Sequence, residues 1–188
     1  MAYVIAEPRI GGKDAAAPGS LKVAPDTAGP EDERGFALSL IKHTGEPVLD
    51  VGTGDCACVA SILATQGTRV VALDKDRGTI RAAQRFLTTR NVKKAVRLLR
   101  DDITASGLSS SSFPNIICFN VLHHVPRFDS ALAELSRILA RDGRLIISDY
   151  DENGDGFLER LEEAVGRHFR SVTVDRRPSG RLVLICEK

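Results

Sequence analysis

Apolar residues in this chain follow two alternating patterns. Short unbroken runs, such as Val70-Val71-Ala72-Leu73 and Leu145-Ile146-Ile147, read as strands buried on both faces. Between them, apolar positions recur at helical spacing, as at Ile80, Ala83 and Leu87. The pattern predicts strands over 47–51, 69–73, 95–99, 115–120, 143–148, 171–175 and 181–186. Helices are predicted over 55–66, 76–90, 128–140 and 157–168, with an earlier one from Glu31 to about His43. This alternation favours an α/β, doubly wound, mainly parallel seven-stranded sheet with helices on both faces. The last two strands are joined only by Arg177-Pro178-Ser179-Gly180, so they must be antiparallel neighbours.

The first 30 residues break this regularity. Gly11-Gly12, Ala15 to Gly19, Pro25 and Pro30 interrupt any period. They are expected to form an extension or lid, with a short strand at Tyr3-Val4-Ile5, ahead of a domain spanning 31–188. Residues 1–14 resemble the start of bacterial-type ferredoxins. Arg9 stands where such proteins carry a ligand cysteine, however, and no cysteine precedes Cys56. That segment cannot hold an iron–sulfur cluster in their manner.

Composition adds mostly exclusions. With 188 residues, 43% hydrophobic and 27% charged at a net charge of +1, the chain suits one domain and calls for neither nucleic acid nor membrane. No apolar run approaches the ~20 residues needed to span a bilayer. Residues 1–14 lack the basic and apolar segments of a signal peptide. Cys56, Cys58, Cys118 and Cys186 are scattered and read as packed, reduced thiols, which points to the cytoplasm. Cys56-x-Cys58 is too tight a spacing for a paired-thiolate zinc motif.

The chemistry concentrates at Val48-Leu49-Asp50-Val51-Gly52-Thr53-Gly54-Asp55. A strand ending in a glycine-rich turn before a small-residue helix lets backbone N–H groups approach a ligand closely. Asp50 can accept hydrogen bonds from a cationic or hydroxyl-bearing group there. Asp74 ends the second of these strands, where an acid is placed to bind both hydroxyls of a ribose. A third acid, Asp102, follows the next strand and is within reach of an adenine amino group. Any one acid is weak evidence, since acids often cap helices after strands. Three at successive strand ends beside a glycine turn are not.

On these residues the chain resembles the class I S-adenosylmethionine-dependent methyltransferases of the small-molecule type. Asp50-Val-Gly52-Thr-Gly54, Val-Ala-Leu-Asp74 and Asp102-Ile103 match the family's first three motifs. Phe119-Asn120-Val121-Leu122-His123-His124-Val125 and the run from Leu139 through Gly143 to Asp149 match the ends of its fourth and fifth strands. The resemblance implies S-adenosyl-L-methionine as cofactor, with Gly52 and Gly54 on its methionine side. Asp74 would hold the ribose, Asp102 would lie near the adenine, and Asn120 would sit beside the sulfonium. Asp50, Thr53, Lys75 and Ile103 complete the implied cofactor set. Two positions depart from the family: Cys56 replaces its usual third glycine, and Phe113-Pro114 replaces its Phe-Asp.

Two other readings fit parts of the sequence. Gly52-x-Gly54-x-x-Ala57 fits the nicotinamide dinucleotide fingerprint, but Asp50 would then face a pyrophosphate that it repels. A protein that binds the cofactor without transferring methyl is the other. If the acceptor carries a proton, His123 or His124 is the nearest candidate base. The plainer role for the pair is to close the strand end. Asp149 and Tyr150 are further acceptor-side candidates, with loop capping as their plainer role. Asp151, Asn153, Asp155, Gly156 and Glu162 fit the spacing of an EF-hand calcium loop, although a strand stands where the incoming helix should be. The alternative is a polar loop in which Asp155 caps the helix starting near Phe157. Arg77, Arg81 and Arg85 recur every fourth residue and read as a solvated helix face rather than a nucleic-acid patch. The acceptor is expected to be a small molecule. The fourth-strand end lacks the Asn/Asp-Pro-Pro-aromatic motif that would indicate amine methylation of bases or glutamine.

Overall fold

A computed structural model describes residues 2–5, 21–24, 38–42, 45–177 and 179–188. The elements are β1 (Ala2–Ile5), β2 (Leu21–Ala24), β3 (Val48–Val51), α1 (Cys58–Thr65), β4 (Val70–Asp74), α2 (Arg77–Thr89) and β5 (Val96–Arg100). They continue with β6 (Phe113–Phe119), α3 (Phe128–Ile138), β7 (Leu139–Tyr150), α4 (Phe157–His168), β8 (Ser171–Arg176) and β9 (Arg181–Glu187). The helix expected between Glu31 and His43 lies mostly outside the described residues.

One sheet runs in the order β2-β1-β8-β9-β7-β6-β3-β4-β5. The seven expected strands form its contiguous body, and β1 and β2 widen it by antiparallel pairing at the β8 edge. Strands β5, β4, β3, β6 and β7 are mutually parallel, whereas β9 is antiparallel to both of its neighbours. From β3 the chain builds outward through β4 to β5, then returns to place β6 on the other side of β3. That reversal opens a crevice at the C-terminal ends of β3 and β6, where folds of this kind hold ligands.

The apolar runs become strands because both faces of each are covered. Successive side chains point to opposite faces. Leu49, Val51, Ile116, Cys118, Leu145 and Ile147 therefore join Leu132, Leu135, Leu161 and Val165 of α3 and α4 in one core. Val48, Ala72, Ile117 and Ile146 join Ala60, Leu63, Ala83 and Leu87 of α1 and α2 in the other. Each fully buried Leu or Ile contributes about 1.5–3 kcal/mol. The arginines of α2 at 77, 81 and 85 are exposed, as the helical spacing requires.

Two boundaries differ from expectation for local reasons. Helix α1 begins at Cys58 rather than near 55, because Ala57 adopts a left-handed backbone (φ 41°) that a helix cannot contain. Helix α3 stops at Ile138, because Leu139 turns extended (ψ 132°) and pairs with Phe113 as the start of β7. The reading of four free thiols also needs correction. Cys56 and Cys58 are joined by a disulfide across Ala57, whose left-handed turn brings their Cα atoms to 5.1 Å. Cys118 and Cys186 are free, and burial pushes both thiols well above their ordinary pKa, so they pack as small apolar groups. Among the described residues no helix is long and apolar enough to cross a membrane.

Candidate functional site

The site begins where β3 ends. The backbone N–H groups of Gly52 and Thr53 both donate to the Leu73 carbonyl (2.8 and 3.0 Å), which ties the turn to the end of β4. Gly52 has φ +68°, and a Cβ placed there would stand 2.3 Å from Val121 Cγ2. Only glycine fits both the backbone and the space. Gly54 shares that φ but has open space around it, and its N–H donates to Asp74 Oδ2 at 3.3 Å. The other Asp74 oxygen accepts the Asp76 N–H at 2.9 Å. Asp74 thus holds the glycine turn and the start of its own loop at once, and each oxygen retains a second acceptor position.

These loops surround a cavity of about 490 Å³, within the range of small-molecule sites (about 300–1,000 Å³). Gly52 and Gly54 line it from the turn after β3, Asp74 and Lys75 from the loop after β4. Asp102 and Ile103 line it from the loop after β5, and Asn120 and His124 from the loop after β6. Asp102 is fixed by the Thr104 N–H and hydroxyl on its Oδ1 (2.9 and 2.8 Å). Those bonds, the backbone one foremost, hold its carboxyl below the usual aspartate pKa, so it stays an acceptor. Ile103 is buried and gives this end an apolar floor.

The structure brings most of the expected cofactor residues to this cavity, but not all. Asp50 and Thr53 are buried beneath the turn, with the Thr53 hydroxyl donating to Asp50 Oδ2 at 2.8 Å. Asp50 therefore braces the glycine turn from inside. Asn120 sits in a left-handed conformation (φ 56°) just past β6, one of the few non-glycine residues that tolerates it. Its side-chain oxygen accepts from Arg181 of β9, whose guanidinium also lies 5.2 Å from the centre of the Tyr150 ring.

The two histidines part company. His124 is exposed and lines the cavity. His123 turns into the protein, its side chain only 4% exposed, with Nδ1 2.5 Å from Asp149 Oδ1. Asp149 is fully buried and also accepts the backbone N–H of Leu122 at 2.9 Å and of Tyr150 at 3.0 Å. The histidine pair thus does close the strand end through one ring, as the plainer reading has it, while the other ring faces the cavity.

The residues of the calcium-loop pattern are not gathered around one point. Asp151 accepts the backbone N–H groups of Asp155, Gly156 and Phe157. Asp155 pairs with Arg160 at 3.2 Å, and Glu162 pairs with Arg176 on β8. Asn153 is exposed.

Sequence reasoning missed three contributors. Arg127 and Asp101 line the cavity, and Arg181 reaches Asn120 across 61 positions. Asp101 adjoins Asp102, so the doubled acid after β5 is a usable signal in the sequence; Arg181 offers none.

The profile of the family described as "Methyltransferase domain" matches residues 49–147, more than half of the chain. Over 154 residues the chain is 26% identical to the ubiquinone/menaquinone biosynthesis C-methyltransferase UbiE of Allorhizobium ampelinum, covering 78% of this chain and 60% of that protein. It is 36% identical over 110 residues to the protein-L-isoaspartate O-methyltransferase of Methylorubrum populi, covering 58% and 47%. The chain thus spans about half to three fifths of the length of these relatives. Among solved structures, a TehB-like SAM-dependent methyltransferase from Corynebacterium glutamicum shares the fold with a TM-score of 0.66 at 22% identity, over 82% of this chain and 86% of that one.

Proposed function

Since the chain belongs to the methyltransferase domain family, we propose that its cavity binds S-adenosyl-L-methionine and that the protein transfers a methyl group to a small-molecule acceptor. The observation that carries this reading is Asp74: a carboxylate at the end of β4 that anchors the glycine turn, lines the cavity and keeps a second acceptor position on each oxygen. In this reading residues 31–188 form the cofactor-binding domain and residues 1–30 an extension of it.

The residues present fit the cofactor. Two vicinal ribose hydroxyls match the two free acceptor positions of Asp74. Asp102 and Ile103 offer an acceptor and an apolar floor to an adenine ring. Gly52 and Gly54 leave the turn's backbone open to the amino-acid arm, and any larger residue at 52 would meet Val121. The cofactor's sulfonium would supply an activated methyl group, with a neutral thioether as the leaving group. The protein's task is then to align the acceptor in line with that bond and to exclude water, which needs no obligatory base. His124 is exposed on the cavity wall, within reach of an acceptor bound there. The relatives named for quinone biosynthesis favour a small acceptor over a macromolecule.

Calorimetric titration with S-adenosylhomocysteine and, separately, NAD tests the reading. Micromolar binding of the former is expected, weakened about 100-fold or more in Asp74→Ala, because two hydrogen bonds to a charged group are lost. NAD binding in its place would reassign the site to a dinucleotide.

A further inference from the structure

We propose that His123, His124 and Glu152 form a binding site for a divalent transition metal ion such as zinc, at the border of the cofactor cavity. The case begins with His123 Nε2, which is buried and has no hydrogen-bond partner. Its ring is held from the far side, with Nδ1 2.5 Å from Asp149 Oδ1. That carboxylate already accepts backbone N–H groups from Leu122 and Tyr150, so it acts as an acceptor toward the ring as well. Nδ1 therefore donates to Asp149, and in that tautomer the ring's lone pair is on Nε2. A carboxylate on one ring nitrogen with the other nitrogen left open is how proteins orient a metal-binding histidine.

The open nitrogen has suitable company. Glu152 Oε2 stands 3.7 Å from Nε2, too far for a hydrogen bond but near enough to share an ion. The His124 ring centre lies 3.8 Å from that of His123. One ligand atom from each of the three residues falls within 4.8 Å of the others. Glu152 and His124 are exposed, so small side-chain rotations close the set around an ion. Tyr150 and Phe157 pack against the His123 ring at 4.8 and 6.3 Å between centres, giving the buried ligand an apolar surround.

Two imidazole nitrogens and one carboxylate oxygen suit zinc and its neighbours, not calcium or magnesium, which prefer oxygen alone. Three protein ligands leave a fourth position open. His124 lines the larger cavity, and His123 and Glu152 line a smaller one that shares Val125 and Pro126 with it, so the ion would sit between the two. Resting on the methyltransferase reading, this points to an acceptor bearing a hydroxyl or enol. Its oxygen keeps a second lone pair for the methyl group after binding the ion, whereas an amine's single pair would be consumed. Binding to the ion favours loss of the hydroxyl proton to solvent before transfer.

The test uses tag-free, chelator-treated full-length protein titrated calorimetrically with zinc, and with cobalt(II) followed by its visible ligand-field bands. About one equivalent should bind with the four-coordinate cobalt spectrum. Glu152→Ala and His124→Ala should each weaken binding at least about tenfold. Asp155→Ala and the Cys56→Ala/Cys58→Ala double variant should leave it unchanged. Absence of zinc binding, binding that survives both Glu152→Ala and His124→Ala, or binding lost with the cysteines would overturn the site. S-adenosylhomocysteine titration of the same metal-free protein keeps the two readings apart. Cofactor binding without zinc binding removes only the metal, and zinc binding without cofactor binding removes only the methyltransferase and the acceptor role that rests on it.

Discussion

Two strand-to-helix connections on the same edge of the sheet both match ligand-binding patterns in sequence, and the structure treats them in opposite ways. In the turn after β3, the backbone is bonded to Leu73 and Asp74, and the acids facing the cavity keep acceptor positions in reserve. In the calcium-loop pattern after β7, the acids of the pattern are committed. Asp151 gathers three backbone N–H groups, while Asp155 and Glu162 pair with Arg160 and Arg176. A motif specifies which oxygens are present, but only the surroundings decide whether they turn outward to a ligand or inward to their own chain. The first leaves the oxygens of its motif free, and the second uses up those of its own.

The sharpest way to break the first arrangement is through its glycines. Gly52→Ala forces a left-handed alanine, costing about 1–2 kcal/mol, and pushes a methyl group into the stiff Val121 side chain, costing about 1–3 more. A total loss of about 3 kcal/mol is expected in chemical denaturation, together with loss of S-adenosylhomocysteine binding. Gly54→Ala has the same φ but open space, so only about 1–2 kcal/mol is expected. Equal losses at the two positions would show that Val121 yields and that close approach is not what requires glycine at 52.

How much of this was legible follows from the range of the interactions. The strands and four helices could be read because a strand covered on both faces must be apolar, and Val70-Val71-Ala72-Leu73 has no other good use. That Asp74 would reach the cavity was legible from its position at a strand end one unit after the glycine turn, whose Gly54 lies 20 residues earlier. The burial of Asp50 was not legible, since it follows from how the turn folds over it, where the Thr53 hydroxyl donates to its Oδ2. The separation of His123 from His124 could not be read. It depends on Asp149 arriving from the neighbouring strand 26 residues later. The Cys56–Cys58 disulfide was hidden for a different reason: it needs Ala57 in a conformation that alanine seldom adopts.

The cavity's adenine end can be loosened from behind. Glu134 of α3 accepts both the N–H and the hydroxyl of Ser106 and pairs with Arg137, which in turn donates to the Leu108 carbonyl. This bracket fastens the loop that carries Asp102 and Ile103. Hydrogen bonding from Arg137 foremost, and from Ser106, lowers the Glu134 pKa to about 2 from an ordinary 4.5. A depressed carboxyl stabilises the fold fully above its unfolded value and loses that contribution as pH falls through the folded one. Stability should therefore decline between about pH 4.5 and 2, and Glu134→Gln should remove that part of the decline. At neutral pH the variant should lose about 1–2 kcal/mol and bind S-adenosylhomocysteine a few-fold more weakly. An unchanged acid limb in the variant would place the pH dependence elsewhere.

The smallest expected effect tests the other half of the comparison. If Asp151 serves its own loop, Asp151→Ala should lower the melting temperature by less than Glu134→Gln does and leave cofactor affinity unchanged. Burial alone would raise the Asp151 pKa, but N–H groups from Asp155, Gly156, Phe157 and Gly154 together bring it below the ordinary value. Its contribution should accordingly be complete at neutral pH and fade only as acid protonates it. Asp151→Asn keeps a side-chain oxygen as acceptor and should recover part of the loss, which a ligand-binding carboxylate would not show. Calcium supplies the opposing measurement. Ligating it would require Asp155 to leave Arg160 and Glu162 to leave Arg176, so the melting temperature should be the same in calcium and in chelator. A calcium-dependent rise, abolished by Asp151→Ala, would mean that these acids are held in reserve after all, and the contrast between the two loops would collapse.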